Sequence, residues 1–368
     1  MSHGQAQGPR RSRAPRASER GTGRTSASAR EVLGLRGRGV SKDLLGTQGR
    51  AVLLGSLQDG RVPLAPPGGF MNQVRRVAAS RRYGTLSPLR YPGGKAALAG
   101  LFADLIRGLN LRGTVYVEPY AGGAGAGIAL LREGVVKRLV INDIDPAVHA
   151  FWKTVIDHNA ELVDWVREVP LTIDEWRKQR GIYRAGHGGR TFELGCSFFY
   201  LNRTNRSGVL NAGVIGGQDQ SGNYKIDARF NRETLAERLT AIGELADAVQ
   251  VSALDGRSVI KHYGAKKAAF MYIDPPYVQA GSQLYLNAFD GRDHQALAEI
   301  VNRISKAHWL MTYDVAPLIE RLYGEYFQCG LELNYSARYP GRARELLIAS
   351  TGVAEVIKGL DQLAAAGA

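Results

Sequence analysis

From Ser87 onward the chain alternates, and this alternation limits its fold more than any other feature. Val115-Tyr116-Val117, Leu139-Val140-Ile141, Val249-Gln250-Val251 and Phe270-Met271-Tyr272-Ile273 are short β-favouring runs, each ending at an acidic residue or a turn. Stretches with helical spacing lie between them, at 96–109, 147–159 and 292–307. Short apolar strands alternating with helices imply an α/β fold with a mostly parallel, doubly wound sheet. Near the end, 329–335 and 345–350 read as two strands joined by a basic, Gly-containing loop, an antiparallel edge hairpin. Between about 160 and 247 the alternation stops. That stretch is helical with a long Gly/Asn/Arg-rich loop and reads as an inserted domain. The expected organisation is a basic tail at 1–85, a catalytic domain of 86–159 with 248–355, an insertion at 160–247, and a C-terminal tail at 356–368.

The net charge of +14 invites a nucleic-acid reading, but its distribution matters. Residues 1–85 carry 16 basic and 4 acidic side chains, whereas the remainder carries 32 and 30. The charge therefore reports on the tail, which is rich in Arg, Gly, Ser and Pro and lacks the apolar periodicity needed to offset chain entropy. Disorder is expected there, apart from a small apolar patch at 51–57. Two readings of the tail stand side by side: a basic arm adding phosphate affinity, or an upstream start ahead of Met71. No apolar run approaches the roughly 20 residues of a membrane span. The two cysteines, Cys196 and Cys329, suit a reducing interior and build neither a disulfide framework nor a zinc site. His149, His158, His262, His294 and His308 show no metal-ligand spacing, and no metal is expected.

Two segments carry chemistry. The first runs from Glu118 to Gly127 (EPYAGGAGAG) and joins a strand to a helix. Its glycines allow a sharp turn and close approach of a ligand to the backbone. Asp143 follows Gly123 by 20 residues at the end of the next strand, where a carboxylate accepts hydrogen bonds from ribose hydroxyls. The pair points to an adenosine-containing ligand without separating a dinucleotide from S-adenosylmethionine. The second is Asp274-Pro275-Pro276-Tyr277, directly after a buried strand and so at the sheet edge where ligands of such folds bind. The lone pair of an adenine amine is delocalised into its ring. Acceptors at the Asp274 side chain and the Pro275 carbonyl localise it toward an incoming methyl group, the prolines aim that carbonyl in advance, and Tyr277 offers a face for an extruded base.

Taken together, RYPGGK at 90–95, EPYAGGAGAG at 118–127, NDID at 142–145, FFYLNRTNRSGVLNAGVIGG at 198–217, DPPY at 274–277 and RELLIAS at 344–350 resemble the Dam-like, D12-class DNA adenine-N6 methyltransferases. The resemblance spans about 87–350. It implies a Rossmann-like S-adenosylmethionine-dependent methyltransferase with an inserted, mainly helical target-recognition domain, flipping an adenine from duplex DNA and methylating its N6 amine. It implies cofactor contacts from Tyr91, Lys95, Glu118, Tyr120, Gly122, Gly123, Gly125, Asp143 and Asp274, with Tyr91 and Lys95 at the methionine end. Tyr120 stands where many members have Phe. Asp255 is read either as a group near the cofactor's adenine or as a helix N-cap. Asn202, Arg203, Asn205, Arg206, Lys225, Arg229 and Arg342 are read as DNA-binding, because Arg suits phosphate or guanine and Asn suits adenine. The expected partner is double-stranded DNA. A cognate restriction endonuclease is compatible with the family, and a cytoplasmic monomer, bacterial or phage-encoded, is expected. Transfer to an RNA adenine or a protein amide, or a DNA-binding module without catalysis, are the competing readings.

Overall fold

The computed structural model describes residues 74–77, 83, 86–90, 94–186, 188, 190–278, 289–333 and 343–366. Its strands are β1 (Val74–Val77), β2 (Val115–Glu118), β3 (Arg138–Asn142), β4 (Val249–Ser252), β5 (Ala269–Ile273), β6 (His308–Asp314), β7 (Phe327–Leu333) and β8 (Ala343–Ala349). They form one sheet in the order β1-β7-β8-β6-β5-β2-β3-β4, in which only β8 runs against its neighbours. The doubly wound, mostly parallel α/β sheet expected from the alternation is therefore present. The C-terminal hairpin stands at one end of it, with β8 between β6 and β7 and β1 laid parallel along the outer side of β7.

The helices are α1 (Ala99–Gly108), α2 (Gly125–Arg132), α3 (Pro146–Asp157), α4 (Asn159–Glu168), α5 (Ile173–Ala185), α6 (Thr191–Thr204), α7 (Arg232–Gly243), α8 (Gly256–Gly264), α9 (Gly291–Val301), α10 (Pro317–Leu322) and α11 (Thr351–Ala366). Successive strand residues face opposite sides of a sheet, and covering both sides makes a parallel strand apolar throughout. In β5, Phe270 and Tyr272 join the apolar layer of α1–α4, α6, α7 and α11, while Met271 and Ile273 join that of α8–α10. Phe102 of α1 sits among Tyr116, Phe270 and Tyr272, with ring centroids at 6.0, 6.2 and 4.7 Å. Removing such a ring costs about 3–5 kcal/mol.

Helices α4–α7 stack beyond α3 and extend the same apolar layer. Phe151 of α3 stacks on Phe199 of α6 at 5.4 Å, and Phe199 meets Phe230 at 5.9 Å. Helix α6 is buried on nearly every side from Leu194 to Leu201. Cys196 and Cys329 are buried free thiols, and among the described residues no helix is long and apolar enough to cross a membrane.

Both expected tail boundaries need correction. Residues 74–77, placed in the N-terminal tail, form β1. Its register with β7 is held from outside by Arg76, which bonds Glu332 at 3.0 Å, and by Arg75, which reaches the Ile357 carbonyl and Asp361. Residues 356–366, placed in a C-terminal tail, belong to α11. Val353, Ala354 and Ile357 of that helix are buried against the sheet layer, so an apolar stripe holds it down. The expected disorder of the first 73 residues lies outside the described residues.

Candidate active site

The glycine loop leaves β2 and enters α2. Gly122 takes φ +47° and Ala124 the left-handed value of +44°, so the backbone folds back within four residues. Gly127 allows α2 to lie against β3, because a Cβ there would stand 2.5 Å from a Leu139 methyl. Glu118 is buried beneath the loop and accepts the Gly127 N–H at 3.1 Å. Burial pushes its carboxyl up to about 8, against the pull of that N–H. Tyr120 is half-buried, its ring edge-on to Phe289 at 6.0 Å, and Gly125 starts α2 against Ala96. Asn142 carries a role that its sequence context does not announce. It is fully buried, and its amide donates to the Pro119 and Leu254 carbonyls and accepts from Ser252 and Leu254, so it ties the ends of β2, β3 and β4 together.

Asp143 follows β3. One carboxylate oxygen accepts the Gly122 N–H at 2.9 Å and the other the Asp145 N–H at 3.0 Å. Burial raises its pKa to about 6, and the two N–H groups oppose that shift. Each oxygen keeps a lone pair for a further donor. Beside it, Ile144 and Leu254 are 46% and 55% exposed at the carboxyl ends of β3 and β4. A folded-back glycine turn, a carboxylate able to take two hydroxyls and exposed apolar side chains at one sheet edge fit an adenosine-bearing cofactor. Asp255 caps α8, accepting the Arg257 N–H at 2.8 Å and pairing with that guanidinium, so the N-cap reading describes its contacts.

Asp274 stands at the end of β5, its side chain 20% exposed. One oxygen accepts Thr312 Oγ1 at 2.7 Å, the Tyr277 hydroxyl at 3.0 Å and Lys95 Nζ at 3.2 Å. The other accepts Lys95 Nζ at 2.9 Å. Thr312 is itself bonded to the Tyr272 hydroxyl at 2.6 Å. Lys95, only 6% exposed, also lies 2.9 Å from the Tyr277 hydroxyl and 3.5 Å from Glu345. Burial alone would lower its pKa, but Asp274 and Glu345 outweigh burial and raise it. The Lys95 ammonium is thus engaged by Asp274, Tyr277 and Glu345. Pro275 is buried and Pro276 half-buried, and the Tyr277 ring packs 6.1 Å from Tyr313. Thr312 and Glu345 escape sequence reasoning because they arrive from β6 and β8, strands that meet the tetrad only in the folded sheet.

The DNA-facing set divides. Asn202 accepts the Arg90 N–H at 2.8 Å and donates to the Arg90 and Gly208 carbonyls. Asn205 accepts Trp176 Nε1 at 2.7 Å and donates to the carbonyls of Val209 and Leu210. Both are buried with their amide groups engaged inside the protein, which corrects the expectation that they read bases. Arg203 is half-buried, and Arg206, Lys225 and Arg229 are exposed. Tyr91 and Arg342, with the rest of the basic loop 334–342, lie outside the described residues. Among the described residues no group of three His, Cys, Asp or Glu side chains is arranged to hold a metal.

A glycine cradle with a paired carboxylate, next to an Asp-Pro-Pro-Tyr braced at the neighbouring strand end of a doubly wound sheet, defines an amino-methyltransferase. A model of the D12 class N6 adenine-specific DNA methyltransferases matches residues 91–332, and the chain belongs to that family. It is 24% identical over 202 residues to the type II methyltransferase M.MjaIII of Methanocaldococcus jannaschii, covering 51% of this chain and 68% of that one. The rRNA methyltransferase aviRa from Streptomyces viridochromogenes superposes with a TM-score of 0.30 at 14% identity, over 74% of this chain and 94% of that one, too loosely to carry any inference. The protein is thus an adenine-specific DNA methyltransferase, DNA is its substrate, and the family implies S-adenosylmethionine as cofactor.

Proposed function

We propose that the enzyme turns one adenine out of duplex DNA and methylates its exocyclic N6 amine at Asp274-Pro275-Pro276-Tyr277. The observation that carries this reading is the unequal loading of the Asp274 carboxylate. Among the described residues one oxygen takes three donors, from Thr312, Tyr277 and Lys95, while the other takes only Lys95. The lightly loaded oxygen keeps room for an N–H of the target amine, and the rigid Pro275 carbonyl supplies the second acceptor. Two acceptors pull the amine hydrogens aside and direct its lone pair along one line. Bound S-adenosylmethionine supplies an electrophilic methyl group.

Gly122, Gly123 and Gly125 would let that cofactor approach the backbone, Asp143 would take its ribose hydroxyls, and Tyr120 and Glu118 would support the loop. Lys95 holds the orientation and the negative charge of Asp274, and Tyr277 offers its ring to the extruded base. Helix α6, with Arg203, and the connection from it to α7, with Arg206, Lys225 and Arg229, present the basic surface. On this reading duplex DNA binds a monomeric enzyme. A restriction endonuclease sharing its site would be the second partner, in keeping with the relation to a type II methyltransferase.

The test is Asp274→Ala, assayed by transfer of isotopically labelled methyl groups to duplex DNA and mass analysis of the nucleosides. N6-methyladenine should form with the parent enzyme and fall to background with the variant, while the melting transition stays cooperative. Near-parental activity in the variant, or a methylated base other than adenine, would refute the mechanism.

A further inference from the structure

The segment Ser87–Arg90 precedes Lys95 in the chain, and cations lie around it. Arg203 of α6 donates to the Pro88 carbonyl at 3.2 Å, and Arg238 of α7 donates to the Ser87 carbonyl at 3.5 Å. The Arg90 guanidinium donates to the Asn205 carbonyl at 3.1 Å. Its backbone is clamped by Asn202 through both N–H and C=O. Gly208 presses on the same residue. With φ +74° and a would-be Cβ 2.5 Å from the Arg90 carbonyl, no larger side chain fits there. Arg229 lies close enough to act electrostatically on both Arg90 and Arg203.

Among the described residues each of Arg90, Arg203 and Arg238 has one N–H on a carbonyl, out of the five donors a guanidinium carries in a fixed fork. Nε of Arg203 is buried without a hydrogen-bond partner among the described residues. Ion pairs elsewhere are many, yet among the described residues no carboxylate pairs with Arg90, Arg203, Arg229 or Arg238. Arg90, Arg229 and Arg238 each act on Arg203 as a like charge. Burial first, then Arg90, Arg238 and Arg229, pull the Arg203 pKa down to about 10. A cluster of guanidiniums with no carboxylate partner among the described residues suits a doubly anionic or diester phosphate.

We infer that Arg90, Arg203, Arg229 and Arg238 form a seat for one backbone phosphate of the bound DNA. The inference rests on the DNA reading proposed above. The seat joins the helical layer to the active site. Ser87 Oγ, within the encircled segment, donates to the Gly123 carbonyl of the cofactor loop at 2.6 Å, and Lys95 follows Arg90 by five residues. A phosphate here fixes the strand against the catalytic edge without reading sequence, as backbone contacts do.

The experiment measures duplex DNA affinity by fluorescence anisotropy between low and high KCl for the parent enzyme, Arg229→Gln and Arg238→Gln, on cognate and non-cognate duplexes. Thermal melting checks each fold. Affinity should fall about tenfold or more at low salt, equally on both duplexes, as expected for loss of one charge-assisted contact. The slope of log K against log salt should become shallower by about one unit. Inorganic phosphate, compared with chloride at equal ionic strength, should compete with DNA for the parent and less for the variants. Unchanged salt slopes in two folded variants would mean that the arginines only clamp carbonyls, and the inference would fail while the methyltransferase reading stood. A rise in melting temperature with inorganic phosphate alongside unchanged DNA slopes would assign the seat to free phosphate and likewise overturn it. A parent enzyme that neither binds nor methylates duplex DNA would instead remove the DNA reading itself.

Discussion

Replacing Lys95 by Met tests whether the catalytic carboxylate is held by charge. The ammonium is almost wholly buried, 2.9 Å from Asp274 and 3.5 Å from Glu345. At such separations and an effective dielectric of about 20, each attraction is worth about 5–6 kcal/mol before desolvation is subtracted. Removing the cation takes the ammonium away from both carboxylates, and breaking a buried pair by removing one partner costs about 3–5 kcal/mol. Urea unfolding at pH 8 should therefore show a loss of that size with an unchanged m-value. Both carboxylates lie within 3.5 Å of the vacated ammonium position, so their like charges oppose each other across it. Glu345→Gln placed in the Lys95→Met background should restore stability at pH 8 for the same reason. In the parent enzyme, the folded-state pKa of Lys95 is raised above its ordinary 10.5 by its two partners once burial is overcome. The stability it contributes is thus complete below that value and lost as pH climbs through the folded-state value, an alkaline limb that Lys95→Met should lack. A loss below about 1 kcal/mol, or no recovery from Glu345→Gln in the Lys95→Met background, would refute the reasoning.

Cofactor affinity should depend on Asp143. With its pKa raised to about 6, affinity for S-adenosylhomocysteine measured by calorimetry should fall as pH drops below 6, and Asp143→Asn should be weak and flat with pH. The same shift makes ionisation of Asp143 unfavourable to folding. Its contribution is present below the ordinary 3.8 and lost as pH rises through 6, so Asp143→Asn should gain stability relative to the parent between pH 4 and 7. Asn205→Ala should cost about 1–3 kcal/mol in denaturant unfolding, since Trp176 and two carbonyls lose a buried partner, without changing the salt slope of DNA binding. Deleting residues 1–70 should leave site-specific methylation intact at physiological salt. Deleting 1–85 should lower the melting temperature, because β1 and its contacts to Glu332, Ile357 and Asp361 go with it.

How much of the fold and site is legible in the sequence depends on the distance over which each feature is encoded. Strand β5 and its tetrad are local. Five apolar residues followed by Asp-Pro-Pro-Tyr state both a buried strand and a fixed turn. The glycine loop and Asp143 are local as well, 20 residues apart. By contrast β1 is only Val-Arg-Arg-Val, and nothing within it says that a strand 256 residues away supplies Glu332 for Arg76. Strand β6 follows closely on α9 without a Gly or Pro between, so its apolar run HWLMTYD does not stand apart from the helical pattern, and Thr312 is hidden with it. The bracing of Asp274 by Thr312 and Glu345 depends on sheet pairing, which single-strand patterns do not specify.

The two asparagines mark a different boundary. Their residue type suits base recognition, and the neighbouring arginines reinforce that reading. What decides their role is the helix that carries them. Phe198-Phe199-Tyr200-Leu201 puts apolar side chains at four successive 100° steps, so α6 has no broad solvent face, and a helix hydrophobic all round is an interior helix. A polar group on its last turn must then find partners inside the protein. Asn202 and Asn205 find them in Arg90, Gly208, Trp176, Val209 and Leu210. Arg206, interleaved with them, escapes this constraint, because a long side chain carries its charge away from the buried stem, while Arg203 stays half-buried and bonds the Pro88 carbonyl. The same short stretch thus supplies internal struts through its amides and an outward cationic surface through its guanidiniums. The struts position the cations: Asn202 holds the backbone of Arg90, and the carbonyl of Asn205 receives its side chain.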